Sequence, residues 1–177
     1  LVRRGKLEEA GRTAEQSVAA LPTEALLVEQ LAEVQLRRRE TTLALKTLGQ
    51  LAELRPSAAE PLLRLAEVEQ QRGNPREALA AVKRALAARP RHAEALRQQI
   101  RLEAELGNVE QARRLVKDMQ ALPGLEAQAA AAEGDLEAQQ QQLGVAESAY
   151  RRALARNAAL PEVAAKLART LLAAGKK

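Results

Sequence analysis

AEPLLRLAEVEQQRGNPREALAAVKRALAARPRH, residues 59–92, holds two apolar-periodic stretches on either side of the turn-forming run Gly73-Asn74-Pro75. Leu62, Leu65 and Ala66 recur at helical spacing before the turn, and Ala78, Val82 and Ala85 do so after it. The pattern predicts a helix, a tight reversal and a second helix. One such pair cannot bury its apolar face alone, so the flanking sequence decides what is built from it.

That sequence repeats the pair on a 34-residue clock. A small residue recurs at Ala10, Ala44, Ala78, Ala112 and Ala146, and proline at Pro22, Pro56 and Pro90. Glycine marks Gly5, Gly73, Gly107 and Gly175, with Arg39 and Gln141 in the intervening slots. A fixed period of this length is the signature of stacked repeats.

Composition agrees. Ala and Leu dominate the 46% apolar residues while β-branched and aromatic residues are scarce, which points to an all-α chain. The 28 Lys and Arg against 23 Asp and Glu give a net charge of +5. This mild basicity is dispersed, with Glu and Arg interleaved in REAL and EQARR. Binding to nucleic acid needs a gathered basic stripe, and single strands need stacking rings, yet Tyr150 is the only aromatic residue. No nucleic-acid partner is expected. The absence of Cys excludes disulfides, thiol nucleophiles and thiolate metal sites. No run of 18 apolar residues exists, so this segment is not expected to insert into a membrane. LVRRGKLEEA at the N-terminus does not read as a signal peptide and lacks Met, as in a fragment of a longer protein.

The slots of residues 59–92 resemble the tetratricopeptide repeat (TPR) family, whose 34-residue unit is a pair of antiparallel helices. Leu62, Leu65, Ala66, Gly73, Ala78, Val82, Ala85 and Pro90 stand at repeat positions 4, 7, 8, 15, 20, 24, 27 and 32. The resemblance implies an all-α, right-handed α-solenoid: one array over 1–177, with full units at 25–58, 59–92, 93–126 and 127–160, and partial units at 1–24 and 161–177. Each slot also has a physical reason. Ala at positions 8, 20 and 27 lets helices approach, and a larger side chain there overpacks by roughly 1–3 kcal/mol. Gly at position 15 supplies the positive φ that ends the first helix, and Pro at position 32 stops the second.

Departures carry their own expectations. Position 11, usually aromatic, holds Gln35, Glu69, Glu103 and Glu137, which predicts greater exposure there. In 127–160 the glutamine run from Gln139 to Gln142 and the late Leu143-Gly144 predict either a first helix extended by about one turn or a shifted, loosely packed pair. Leu1–Arg4 reads as the frayed stub of a first helix, and 161–175 as a first helix lacking its partner, whose uncovered Leu and Ala predict end-to-end stacking of copies.

Chemistry is sparse. His92, the sole histidine, sits at a junction between units, as a loop residue would. Glu29 and Glu33 have the spacing of an acid–base or cation-binding pair, but charged helical faces produce such pairs routinely. No phosphate-binding glycine loop and no zinc spacing occur, so no catalytic, cofactor or metal site and no enzyme activity are expected. What the resemblance implies instead is a concave groove for a protein or peptide partner, lined from the first helices. Its lining residues are Leu26, Glu29 and Glu33, then Leu63, Glu67 and Gln70, then Arg97 and Arg101, then Asp135 and Arg169. The Lys and Asn with which chaperone-tail receptors of this family clamp a carboxylate are absent from the corresponding slots. The groove is instead expected to run from acidic at Glu29, Glu33, Glu60 and Glu67 to basic at Arg97 and Arg101.

The stretch 133–176, with Glu133-Gly134-Asp135, the Ala-Tyr-Arg-Arg-Ala block and Leu167 to Gly175, is similar to the TPR lipoproteins of bacterial exosortase (PEP-CTERM) loci, associated with exopolysaccharide production and surface sorting. That resemblance implies a lipid-anchored parent working in the periplasm. The alternative is a cytoplasmic TPR adaptor or the TPR segment of a larger enzyme.

Overall fold

The computed structural model describes residues 2–175, with side chains from Gly5 onward. The described residues form ten α-helices and no strand: α1 (Val2–Ala20), α2 (Ala25–Arg37), α3 (Thr41–Leu54), α4 (Glu60–Gln71), α5 (Pro75–Ala88), α6 (Ala93–Glu105), α7 (Val109–Gln120), α8 (Glu126–Gln139), α9 (Leu143–Arg156) and α10 (Pro161–Ala173). They fall into two compact units, residues 1–90 and 91–177. Within the first, each of α1 to α5 packs on the next; within the second, α6 to α10 do the same and α6 also lies beside α8.

Four turns share one construction. Where a first helix ends, the N–H of repeat position 16 donates to the carbonyl of position 11: Glu40 to Gln35 at 2.9 Å, Asn74 to Glu69 at 3.0 Å, and Asn108 to Glu103 and Gln142 to Glu137 at 2.8 Å. The N–H of position 15 closes a shorter loop inside it, as from Gly73 to the Gln70 carbonyl at 3.0 Å. This is the Schellman arrangement, which requires a left-handed residue at position 15. Gly73 and Gly107 meet that need at φ of 79° and 85°, and Arg39 and Gln141 adopt it at 60° and 62° without the freedom of glycine. Proline sets several helix starts, with Pro61, Pro75 and Pro161 in first turns where a missing N–H costs nothing.

Three sequence expectations are corrected. Position 11 is not exposed: Gln35, Glu103 and Glu137 are buried, and the Glu69 side chain nearly so. The reason is a hydrogen bond across the turn, from Asn74 Nδ2 to Glu69 and from Asn108 Nδ2 to Glu103, each 2.8 Å. Glu137 takes two from Arg113, at 3.0 and 3.2 Å. A buried carboxylate is tolerated when it is paired in this way. Nor is the first helix of 127–160 extended: α8 ends at Gln139, because Gln141 accepts the left-handed turn in the usual slot. Its packing is close, with Ala129 to Ala132, Gly134 and Leu136 all buried. Lastly, Gly5 does not turn the chain. Leu1, where the expected stub starts, lies outside the described residues, and α1 runs through Gly5 unbroken. Glycine inside a helix costs only about 1 kcal/mol, so the slot tolerates it without a turn.

The cores follow the repeat. Position 20 is fully buried at Ala44, Ala78, Ala112 and Ala146. Position 8 meets positions 20 and 24 in clusters, with Ala32 on Leu48, and Ile100 on Ala112 and Val116.

Candidate groove and its charges

Residues of α1 to α4 line an open groove of about 1170 Å³ inside the first unit. From α1 come Leu7, Ala10, Thr13, Ala14 and Ser17, a single helical face; α2 adds Leu26, Leu27, Glu29, Glu33 and Arg37; Leu48 and Leu51 come from α3 and Arg55 from its C-cap, and Pro61 and Arg64 from α4. Arg38, which caps α2, fixes α1 against it by bonding Glu8 and Glu15 at 3.1 Å and its near neighbour Glu40 at 2.9 Å. Gly11 gives the Arg38 guanidinium its place, since a Cβ there would stand 2.2 Å from it and the arginine would have to shift.

Every expected acid on the groove's α2 face has a basic partner. Glu29 pairs with Arg55 at 2.8 Å, and Glu33 with Arg37 at 2.9 Å and Arg64 at 2.6 Å. Hydrogen bonds from Arg37 first, and then Arg64, hold the Glu33 carboxyl below its ordinary pKa. Glu60 pairs with Arg89 at 2.7 Å. Exposed pairs of this kind add only ~0–1 kcal/mol to stability, so their main effect is to cancel charge. Of the four acids expected from the sequence, Glu29, Glu33 and Glu60 are thus neutralised. Leu26, on the rim, is 54% exposed. Sequence reasoning missed Arg55 and Arg89, although the Arg-Pro dipeptides at 55–56 and 89–90 recur one period apart.

The other expected lining residues lie elsewhere. Leu63 is buried in the packing of α4 and presents little surface. Glu67 borders a smaller recess of about 450 Å³ with Arg39, Thr41, Arg64 and Arg72, and Gln70 is half-buried. In the second unit Arg97 pairs with Glu94 of its own helix at 3.5 Å, and Arg101 is exposed on the same helix. Asp135 is held by the Tyr150 hydroxyl at 2.9 Å and Lys166 at 2.7 Å, while Arg169 is exposed on α10. Burial, and then the Asp135 charge, push the Tyr150 phenol above its ordinary pKa. His92 accepts the Ala95 N–H at 3.3 Å and so caps α6. Among the described residues no helix is long and apolar enough to cross a membrane.

Stacked two-helix units joined by Schellman turns, with a groove lined mainly from three neighbouring helices, define a helical-repeat protein. Residues 63–126 match the family described as tetratricopeptide repeat, and the described chain has the fold of TPR proteins throughout. It is similar to a tetratricopeptide repeat protein from Parabacteroides merdae, with 18% identity over 99% of this chain and 70% of that one and a TM-score of 0.74. A TPR protein of Thermus thermophilus is 23% identical over 97% of this chain and 94% of its own, at a TM-score of 0.66. PilW, a type IV pilus biogenesis factor, is 19% identical over 98% and 81%, at 0.68. At these identities the likeness is one of fold. No curated protein matches the chain by sequence.

Proposed function

We propose that the chain is a non-catalytic scaffold that holds a segment of a protein partner in the groove of its first unit. The observation that carries the reading is the union, in one 1170 Å³ groove, of an uncovered apolar α1 face, an exposed Leu26 and rim charges already paired within the unit. Such a site favours a partner helix or strand with small apolar residues over a highly charged tail, because an ionic partner would first have to break the existing pairs. The resemblance of 133–176 to exosortase-locus lipoproteins extends the proposal to a periplasmic role in exopolysaccharide production or surface sorting.

The test is partner capture by the native protein with and without Leu26→Asp. A partner retained by the unaltered protein and lost from the variant supports the groove, and equal capture removes it. Because the rim is internally paired, retention should fall little as salt is raised. For the location, co-fractionation of the native protein with the cytoplasm would overturn the periplasmic role.

A further inference from the structure

The smaller recess of the first unit differs from its counterparts in charge. It lies between the α2–α3 turn and α4, lined by Leu36 and the buried Val68 and bordered by Arg39, Arg64 and Arg72. These arginines stand at repeat positions 15, 6 and 14. In the second unit the same slots hold Gly107, Ala132 and Gln140, and then Gln141, Lys166 and Ala174, so neither the turn nor the packing requires arginine in any of them. Arg39 is strained where it stands. Its φ of 60° is the left-handed conformation that Gly73 and Gly107 adopt freely. Its guanidinium makes no hydrogen bond or ion pair among the described residues, so nothing within the free chain offsets that strain. Strain of this kind gathers at ligand clamps. Gln141 shares the conformation, but the one cation beside it, Lys166, is already bonded to Asp135.

The other two arginines are only partly engaged. Arg64 gives an N–H to Glu33 at 2.6 Å, and Arg72 meets Glu69 at 3.4 Å, longer than a strong charged hydrogen bond. A guanidinium has five N–H donors, so both keep several. Glu67, the acid in the lining, has no partner among the described residues. With bonded partners counted, Arg37, Arg39, Arg64 and Arg72 stand against Glu33, Glu67 and Glu69, which leaves one positive charge. We infer that the recess binds one carboxylate of a partner segment, with Arg39 as its main ligand and Arg64 and Arg72 beside it. A guanidinium takes a carboxylate through two parallel N–H bonds, a geometry that lysine does not offer. Because Arg39 is unpaired, a single carboxylate displaces no existing bond, whereas a run of acids would. The recess, about 450 Å³, has room for an acidic side chain and the peptide unit that carries it. Arg64 also borders the larger groove, so a segment lying there is within reach of the recess. The inference rests on the groove reading for its partner and adds the charged residue that partner carries.

The experiment is a low-salt titration of the isotope-labelled 177-residue chain with short capped peptides, followed by nuclear magnetic resonance at the side-chain N–H groups of Arg39, Arg64 and Arg72. One peptide carries a single glutamate among alanines, a second has glutamine in its place, and a third is all alanine with a free C-terminal carboxylate. The glutamate peptide should shift the three arginines saturably by millimolar concentration, and added salt should weaken it. The glutamine peptide should leave them unmoved. Tighter binding of the third peptide assigns the recess to a chain end, and tighter binding of the first to an acidic side chain. Arg39→Gly should bind the carboxylate about tenfold or more weakly, yet melt no lower than the parent, since glycine suits the turn. Should that variant disturb the turn, Arg39→Gln, whose side chain the slot accepts at Gln141, gives the same reading. No saturable shift with either carboxylate overturns the inference, as does an equal response to the glutamine peptide or undiminished binding by the Arg39 variants. Capture of a partner through Leu26, which salt should barely weaken, is read separately and stands or falls by itself.

Discussion

Helix pairs α4–α5 and α8–α9 reverse the chain with the same hydrogen bonds and fill the space between their helices from opposite sides. In α4–α5 the first helix brings Leu62 and Ala66 and the second brings Ala78, Val82 and Ala85. In α8–α9 the first helix has shrunk to Ala130 and Gly134 in those slots, and position 24 of the second has grown to Tyr150. Interiors are close-packed, so summed volume has to be kept, but which helix supplies it is free. Gly134 shows how complete the exchange is: a Cβ there would lie 2.5 Å from the Tyr150 ring. The match to the family stops at residue 126, just before the pair in which the volumes trade places.

The largest test of that exchange removes the volume. Tyr150→Ala should cost the second unit about 3–5 kcal/mol, because the short side chains of α8 cannot close the cavity. Denaturant unfolding of the variant reads the loss, and a cost near that of a surface substitution would mean the ring is not the core of this pair. Tyr150 is the chain's only aromatic residue, so its absorbance reports the site directly. With the phenol pushed up by burial and by Asp135, the folded state holds the proton more tightly than the unfolded chain. Stability is therefore full below the ordinary tyrosine pKa of about 10 and falls as pH rises beyond it. Tyr150→Phe should abolish that alkaline decline.

The next effect turns on glycine. Gly134→Ala should destabilise by ~1–3 kcal/mol through overpacking, against the usual helical preference for alanine. Gly49→Ala in α3, where a Cβ would meet nothing within 4 Å, should instead stabilise by about 1 kcal/mol. Combining Gly134→Ala with Tyr150→Val gives positions 8 and 24 the residues they have in α4–α5, Ala66 and Val82, and should relieve the overpacking of Gly134→Ala. A double-mutant cycle measures the coupling, and strict additivity of the two costs would refute the exchange.

The same contrast explains how far the sequence could be read. Period, helix pairs and turn slots were legible from Ala44, Ala78, Ala112 and Ala146 alone, since a slot that tolerates only a small side chain leaves the same mark each time. Position 11 was not, because Glu69 and Glu103 look exposed until Asn74 and Asn108, five residues on, are seen to be their partners. The groove was half legible. Leu26, Glu29 and Glu33 line the groove described above, but its charge was not legible, because each partner arginine comes from a different part of the repeat. Leu63 occupies a lining slot in the family pattern, yet here it is spent on packing.

The smallest effect tests the feature the two pairs share. Gly73 and Gln141 stand in the same turn at φ of 79° and 62°, one without a Cβ and one with. A left-handed residue other than glycine costs about 1–2 kcal/mol in local strain. Glycine in turn loses more backbone freedom on folding, so part of that gain is returned. Gln141→Gly should consequently stabilise the second unit by roughly 1 kcal/mol or less, and Gly73→Ala should destabilise the first by about as much. The Gln142 bond to the Glu137 carbonyl should survive in Gln141→Gly, and amide hydrogen exchange at Gln142 would show it as protected as before. If Gln141→Gly instead destabilises the unit, the glutamine side chain contributes something at this turn beyond filling its slot, and the two reversals are not equivalent.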